Sequence, residues 1–165
     1  MMRNGKTIEQ SQIGKQHFVE EVALIFEEIG LTRMAGRILG WLLISNPPHQ
    51  SAEELAEALQ ASKGSISTMT RLLIQLDLIE RTGFPGDRRD YFIMKPDVWA
   101  QLLQARMSQV TDLHQLAEDG LELLDGEPPE LRQRIQDMHD LYSYVETELP
   151  NLIERWEQKR SSGKS

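Results

Sequence analysis

The residues best placed to do chemistry in this sequence are short hydroxyls and cations at helical spacing. Ser62 is followed by Lys63, Ser65, Ser67, Thr68 and Arg71, while Ile66, Thr70, Leu73 and Leu76 recur every three or four residues through the same stretch. That periodicity predicts a helix over about 63–76, capped by Ser62, with its apolar face turned inward. The face left to solvent then carries Lys63, Ser65, Ser67, Thr68 and Arg71. Serine and threonine are poorer helix formers than the Glu and Lys that usually coat an exposed helix, so stability alone does not account for them. Short hydroxyl side chains let a helix backbone approach a duplex and bond to phosphates or base edges. Arg71 has the fork that fits guanine or phosphate. About fourteen residues make a helix roughly 21 Å long, which fits a major groove about 12 Å wide.

A second cationic cluster follows. Two β-prone runs, 78–82 and 90–94, flank Gly83-Phe84-Pro85-Gly86-Asp87-Arg88-Arg89, which predicts a hairpin with a long tip. Arginine at such a tip can enter the narrow minor groove, where the potential is most negative, and Asp87 can hold one guanidinium in place. An ordinary solvated hairpin is the alternative.

The elements that position these side chains begin at Ser51. With Glu54 three residues on it forms a capping box, and Leu55, Ala58 and Leu59 share one face of a short helix. The turn at 60–63 is short enough for a helix-turn-helix. The stretch 51–94 therefore reads as a winged helix-turn-helix with a two-stranded β-wing.

Around it the chain is expected to be mainly α. Residues 1–14 lack periodicity and are expected to form a mobile arm whose cations are Arg3 and Lys6. Phe18, Val22, Ile25, Phe26 and Ile29 mark an amphipathic helix that stops at Gly30. Residues 31–45 read as a second, largely buried helix. Gly36 and Gly40, four apart, imply a close helix contact, and Arg33 and Arg37 imply a structural salt bridge. Pro47 and Pro48 end it. Beyond the wing, one helix is expected over about 96–124, closed by Gly126. Another opens at Pro128 and Pro129, with Pro150 kinking or restarting it, and 161–165 form a frayed tail. The divisions are thus an arm at 1–14, a DNA-binding lobe with its N-terminal helices at 15–95, and a helical dimerisation region at 96–160. The two apolar stripes of that region exceed what a small domain needs for cover. A twofold homodimer reading a near-palindromic operator is one solution. An antiparallel pair within a monomer is the other.

Composition narrows the functions further. The formal net charge of the 165 residues is −8. Residues 61–95 carry +2 and the remainder −10. An acidic body with a locally basic face would repel DNA in every orientation but one. The same acidic surface leaves open a winged-helix protein-interaction module that does not bind DNA. With no cysteine there can be no disulfide and no thiol chemistry. No apolar run approaches eighteen residues and no signal peptide is evident, so a cytoplasmic protein without a membrane partner is expected. There is no phosphate loop or nucleophile elbow. The four histidines, His17, His49, His114 and His139, are scattered, and His139 beside Asp140 reads as a surface pair. No enzyme activity, cofactor or metal is expected. The aromatic residues Trp41, Trp99, Tyr142, Tyr144 and Trp156 are the candidates for an effector site or for ordinary core packing. With a carboxylate nearby, aromatic faces bind quaternary ammonium ions such as choline or betaine.

The order of helices, the Ser51 capping box, the Ser62-Lys63-Gly64-Ser65-Ile66-Ser67 segment and Gly86-Asp87-Arg88-Arg89 in the wing resemble the MarR-type transcriptional regulators. The string from Gly30 to Leu42, Gly-Leu-Thr-Arg-Met-Ala-Gly-Arg-Ile-Leu-Gly-Trp-Leu, is similar to the GbsR-like subgroup, named for regulators of glycine betaine and choline metabolism. The likeness runs from about Phe18 to Trp156. It implies a dimer built by N- and C-terminal helices, a ligand held between that region and the DNA-binding lobe, and a ligand-responsive repressor. It also places the family's Asp-x-Arg wing element on Asp87 and Arg89, the first positioning the wing and the second reaching the minor groove. Oxidant sensors of this type depend on cysteine, which this chain lacks.

Overall fold

The computed structural model describes the backbone of residues 3–162 and the side chains of 12–162. The elements are α1 (Arg3–Glu28), α2 (Arg33–Ile44), β1 (Gln50–Ser51), α3 (Ala52–Ala58), α4 (Lys63–Gln75), β2 (Ile79–Thr82), β3 (Tyr91–Met94), α5 (Val98–Gln104), α6 (Met107–Leu123) and α7 (Pro129–Ser162). They fall into two compact units, 1–98 and 99–165. None of the described helices is long and apolar enough to cross a membrane.

In the first unit, α1 and α2 lie in close contact. A Cβ added to Gly36 would stand 2.8 Å from the Ala23 Cα, and one on Gly40 would stand 3.1 Å from the Val22 Cβ. The two glycines therefore let the helix backbones approach, as their spacing implied. Glu20 on α1 ties the polar edge: its carboxylate lies 3.1 Å from Arg33 Nη2 and 2.7 Å from Arg37 Nε. Arg37 Nη2 also donates to the Leu59 carbonyl (3.0 Å), fastening the end of α3 to α2. Thr32 caps α2 by accepting from the Ala35 N–H.

Beneath these helices Ile38, Leu39, Leu55, Ile66 and Leu73 are fully buried. Each contributes roughly 1.5–3 kcal/mol by leaving water. The sheet has the order β1-β3-β2 and is antiparallel throughout. β2 and β3 form the expected hairpin, with Ile79 opposite Met94 and Thr82 opposite Tyr91. A short third strand joins the two-stranded wing: Gln50 and Ser51 pair with Phe92 and Tyr91. A two-residue strand has no alternation to read.

Three further expectations change. The helix expected to start near Lys15 reaches back to Arg3, so residues 3–14 of the expected arm are helical, while 1–2 lie outside the described residues. Once the apolar face at 18–26 has nucleated a helix, extension is cheap, and only lone glycines oppose it. The single helix over 96–124 is two: at Arg106 the N–H turns to the Leu103 carbonyl, a tighter i→i+3 turn that separates α5 from α6. Finally, α7 runs unbroken through Pro150, with no restart there, and its 34 residues span about 51 Å. Ser161 and Ser162 of the expected tail belong to it, and 163–165 lie outside the described residues.

In the second unit α6 packs on α7, where a Cβ on Gly120 would meet Ile135 Cγ2 at 3.2 Å. Ala117 and Ile153 are buried there, whereas Leu123, Tyr144 and Leu116 are 83%, 67% and 60% exposed.

Candidate nucleic-acid interface

The turn that sets α4 against α3 is built from two caps and one left-handed residue. Ser51 Oγ accepts from the Glu54 N–H (3.3 Å) and Glu54 Oε2 accepts from the Ser51 N–H (2.7 Å), completing the capping box at the start of α3. That backbone hydrogen bond is the main reason the Glu54 carboxyl sits below its ordinary range. Gln60 then adopts φ 50°, and the Ala61 N–H returns to the Ala56 carbonyl (2.9 Å), closing α3. Ser62 Oγ accepts from the Ser65 N–H (3.2 Å) and starts α4.

On α4 the predicted division of faces holds: Ile66, Thr70 and Leu73 are buried, while Lys63, Ser67, Thr68 and Arg71 are exposed and Ser65 is half-buried. Thr70 directs its hydroxyl into its own helix, donating to the Ile66 carbonyl (2.9 Å). Thr68 likewise donates to the Gly64 carbonyl (2.9 Å), which leaves its oxygen lone pairs outward as acceptors. Ser67 and Arg71 have no side-chain partner among the described residues. Lys63 Nζ is paired with Glu53 Oε1 at 3.1 Å, with 76% and 62% of the two side chains exposed. Such an exposed pair is worth at most about 1 kcal/mol, so a phosphate can replace the carboxylate.

The tip of the wing is braced by hydrogen bonds to one carboxylate. Asp87 Oδ1 accepts from the Arg89 backbone N–H (2.9 Å) and Asp87 Oδ2 from Arg89 Nη2 (2.7 Å) and the Tyr91 hydroxyl (2.7 Å). These donors hold the Asp87 carboxyl well below the usual carboxylate range, Arg89 foremost. The guanidinium of Arg89 stays charged under all ordinary conditions, and Tyr91, donating to a carboxylate, loses its proton less readily than a free tyrosine. Arg89 also lies over the Tyr91 ring (5.1 Å), and Tyr91, Phe84 and His49 form a ring cluster with centroids 4.5–5.4 Å apart. The cluster ties the wing to the loop before α3. Gly86, with φ 86°, makes the reversal that a side chain would strain. Arg88 is exposed and has no partner among the described residues.

The sequence singles out Asp87 and Arg89 but not the ring cluster that supports them: His49 lies far in sequence from Phe84 and Tyr91 and meets them only in the fold. Glu53, the carboxylate beside Lys63, was missed for the same reason. The arrangement as a whole offers hydroxyl acceptors, two guanidiniums unpaired among the described residues, one exchangeable ammonium and one fixed guanidinium whose Nη1 takes no part in the Asp87 bonds.

Of the aromatic candidates for an effector site, Trp41 lies in the first unit and Trp99, Tyr142, Tyr144 and Trp156 in the second. Trp99 and Trp156 share a cleft of about 330 Å³ in the second unit with Ala100, Leu103, Leu152 and Ile153. Its lining includes no carboxylate, and the Arg160 guanidinium stands over the Trp156 ring at 4.9 Å. Tyr142 is not in that lining. Trp41 belongs to the first unit, where its Nε1 donates to Gln50 Oε1 (3.1 Å).

Comparison with known proteins gives matches in both units. The family model described as MmpR5-like MarR family transcriptional regulator matches residues 97–159, and that of the MarR family matches 29–90. The HTH-type transcriptional regulator MmpR5 of Mycobacterium tuberculosis is 44% identical over 142 residues, covering 86% of this chain and 86% of that protein. The HTH-type transcriptional repressor OpcR of Bacillus subtilis is 27% identical over 85 residues, covering 52% of this chain and 45% of its own. A crystal structure described as a transcriptional regulator is 43% identical, with a TM-score of 0.62, covering 88% of this chain and 99% of that one.

Proposed function

The chain belongs to the MarR family of transcriptional regulators, and on that premise we propose that it is a homodimeric repressor that occupies a near-palindromic operator and releases it when an effector binds. The family is generally non-enzymatic. The observation that carries the reading is the exposed face of α4, where Ser67 and Arg71 have no side-chain partner among the described residues, in a helix otherwise anchored by buried Ile66, Thr70 and Leu73. In this reading α4 lies in the major groove, with Lys63, Ser65, Ser67, Thr68 and Arg71 on phosphates and base edges. Arg88 and Arg89 reach the adjacent minor groove, and Asp87 positions them. The protein acts in the cytoplasm, beside its DNA.

Large apolar side chains left exposed in each unit support the homodimer. Ile13 and Ile25 on α1 are 61% and 60% exposed, and α6 and α7 leave Leu116, Leu123, Leu141 and Tyr144 uncovered. In domain terms, the lobe at 15–95 reads the DNA and the helices at 96–160 dimerise. The GbsR-like placement rests on the string from Gly30 to Leu42. It makes a choline- or betaine-like effector worth testing, although the Trp99–Trp156 cleft, without a carboxylate, suits an apolar guest better.

A mobility-shift assay with the DNA upstream of the chain's own gene tests the function. A sequence-specific complex that the Arg71→Ala and Arg88→Ala substitutions weaken supports it, and an absence of any shift at physiological salt removes it. Titration of choline and betaine, read by tryptophan quenching, decides the effector: no heat and no quenching discard that ligand class.

A further inference from the structure

The second unit holds a cluster that DNA binding does not use. His114 and Glu118 are four residues apart on α6 and so share one helix face, and His139 comes from α7 with its ring centroid 5.0 Å from that of His114. One donor atom from each of the three lies within 4.8 Å of the other two.

Both histidines are oriented by carboxylates. His114 Nδ1 donates to Glu146 Oε2 (2.6 Å), and Glu146 Oε1 is held in turn by the Thr111 hydroxyl (2.6 Å). A carboxylate oxygen accepts hydrogen bonds, so the ring nitrogen that faces Glu146 is the one that bears the proton. His114 Nε2 then carries a lone pair, and that atom is buried with no hydrogen-bond partner. His139 Nδ1 faces Asp140 Oδ1 at 3.1 Å, which likewise leaves its Nε2 available. A ring nitrogen bound to a carboxylate, with the other nitrogen left open, is the arrangement that metal-ligating histidines use.

We propose that His114, Glu118 and His139 bind a divalent cation of the zinc type, with water completing the coordination. Two imidazoles and one carboxylate suit zinc and its neighbours, whereas magnesium and calcium require oxygen ligands. Bonds of about 2.0–2.1 Å to such an ion set the donor atoms about 3.3 Å apart in a tetrahedron, so the cluster need contract by at most about 1.5 Å. Glu118 is exposed and can rotate to do so. The bound ion would join α6 to α7.

The test uses the full chain without a histidine tag, stripped with chelator and titrated with zinc by calorimetry and with cobalt by visible absorption. The expected result is one ion per chain, a four-coordinate cobalt band and a raised melting temperature. His139→Gln and Glu118→Gln should each weaken binding at least tenfold and remove the band while circular dichroism shows the fold intact. Glu146→Gln, which orients His114 without touching the ion, should weaken it about 10–100-fold. No binding, or binding undiminished in His139→Gln, or magnesium binding as well as zinc, would overturn the proposal.

Discussion

Arg71 and Arg88 are charged side chains with nothing among the described residues to hold, so their replacement should separate binding from folding. Arg71→Ala and Arg88→Ala are each expected to weaken operator binding by about 1–3 kcal/mol, read by fluorescence anisotropy, and to leave the melting temperature within measurement error. Arg89 differs because it is also part of the wing's frame. The Asp87 carboxyl, depressed first by Arg89 and then by Tyr91, contributes fully at neutral pH. Its contribution is lost only as pH falls below its ordinary value of 3.8 toward the depressed one. Asp87→Asn should therefore remove an ordering interaction at pH 7 and still most of it at pH 3, the difference from the parent fading only at more acid pH. It should also let Tyr91 ionise at lower pH than in the parent, since the raised Tyr91 value depends on that carboxylate. An NMR titration of the Tyr91 ring checks this, and an unmoved Tyr91 would deny the bond. At this scale the sequence disclosed which cations stand exposed, Lys63 and Arg71 on α4 and Arg88 and Arg89 in the wing. It did not disclose that Lys63 is already paired, because Glu53 reaches it only after folding.

Helices were the most legible elements, and their ends the least. Ser51, Ser62 and Gly30 announced caps that the structure contains, because a capping hydrogen bond is a local event. The break between α5 and α6 has no proline or glycine to mark it, and β1 has meaning only once Tyr91 and Phe92 arrive beside it. Pro150 was read for its usual effect, yet a long helix tolerated the missing N–H. The close approach of α1 and α2 was legible from Gly36 and Gly40 and makes a sharp prediction. Gly36→Ala forces a Cβ to within 2.8 Å of the Ala23 backbone and should cost about 1–3 kcal/mol. Gly14→Ala, in the same α1 with nothing within 4 Å, should instead stabilise by about 0.5–1 kcal/mol. Thermal melts of the two variants should move in opposite directions, and a shared direction would contradict the packing.

The whole molecule presents a mismatch between its acidic total of −8 and a site that must meet a polyanion. A local surplus on α4 and the wing reconciles the two by favouring one docking orientation. The uncovered apolar residues of α1, α6 and α7 predict a dimer: sedimentation equilibrium should give twice the chain mass at micromolar concentration, and Leu116→Glu or Tyr144→Glu should shift it toward the monomer. A monomeric parent would remove the twofold operator with it. The most direct test of a duplex-binding face is the salt dependence of operator affinity. If Lys63, Arg71, Arg88 and Arg89 meet phosphates in both copies, log K should fall against log salt with a slope of about −7, flattening to about −4 in the Arg71→Ala, Arg88→Ala double variant. A slope near zero, unchanged by both substitutions, would contradict it.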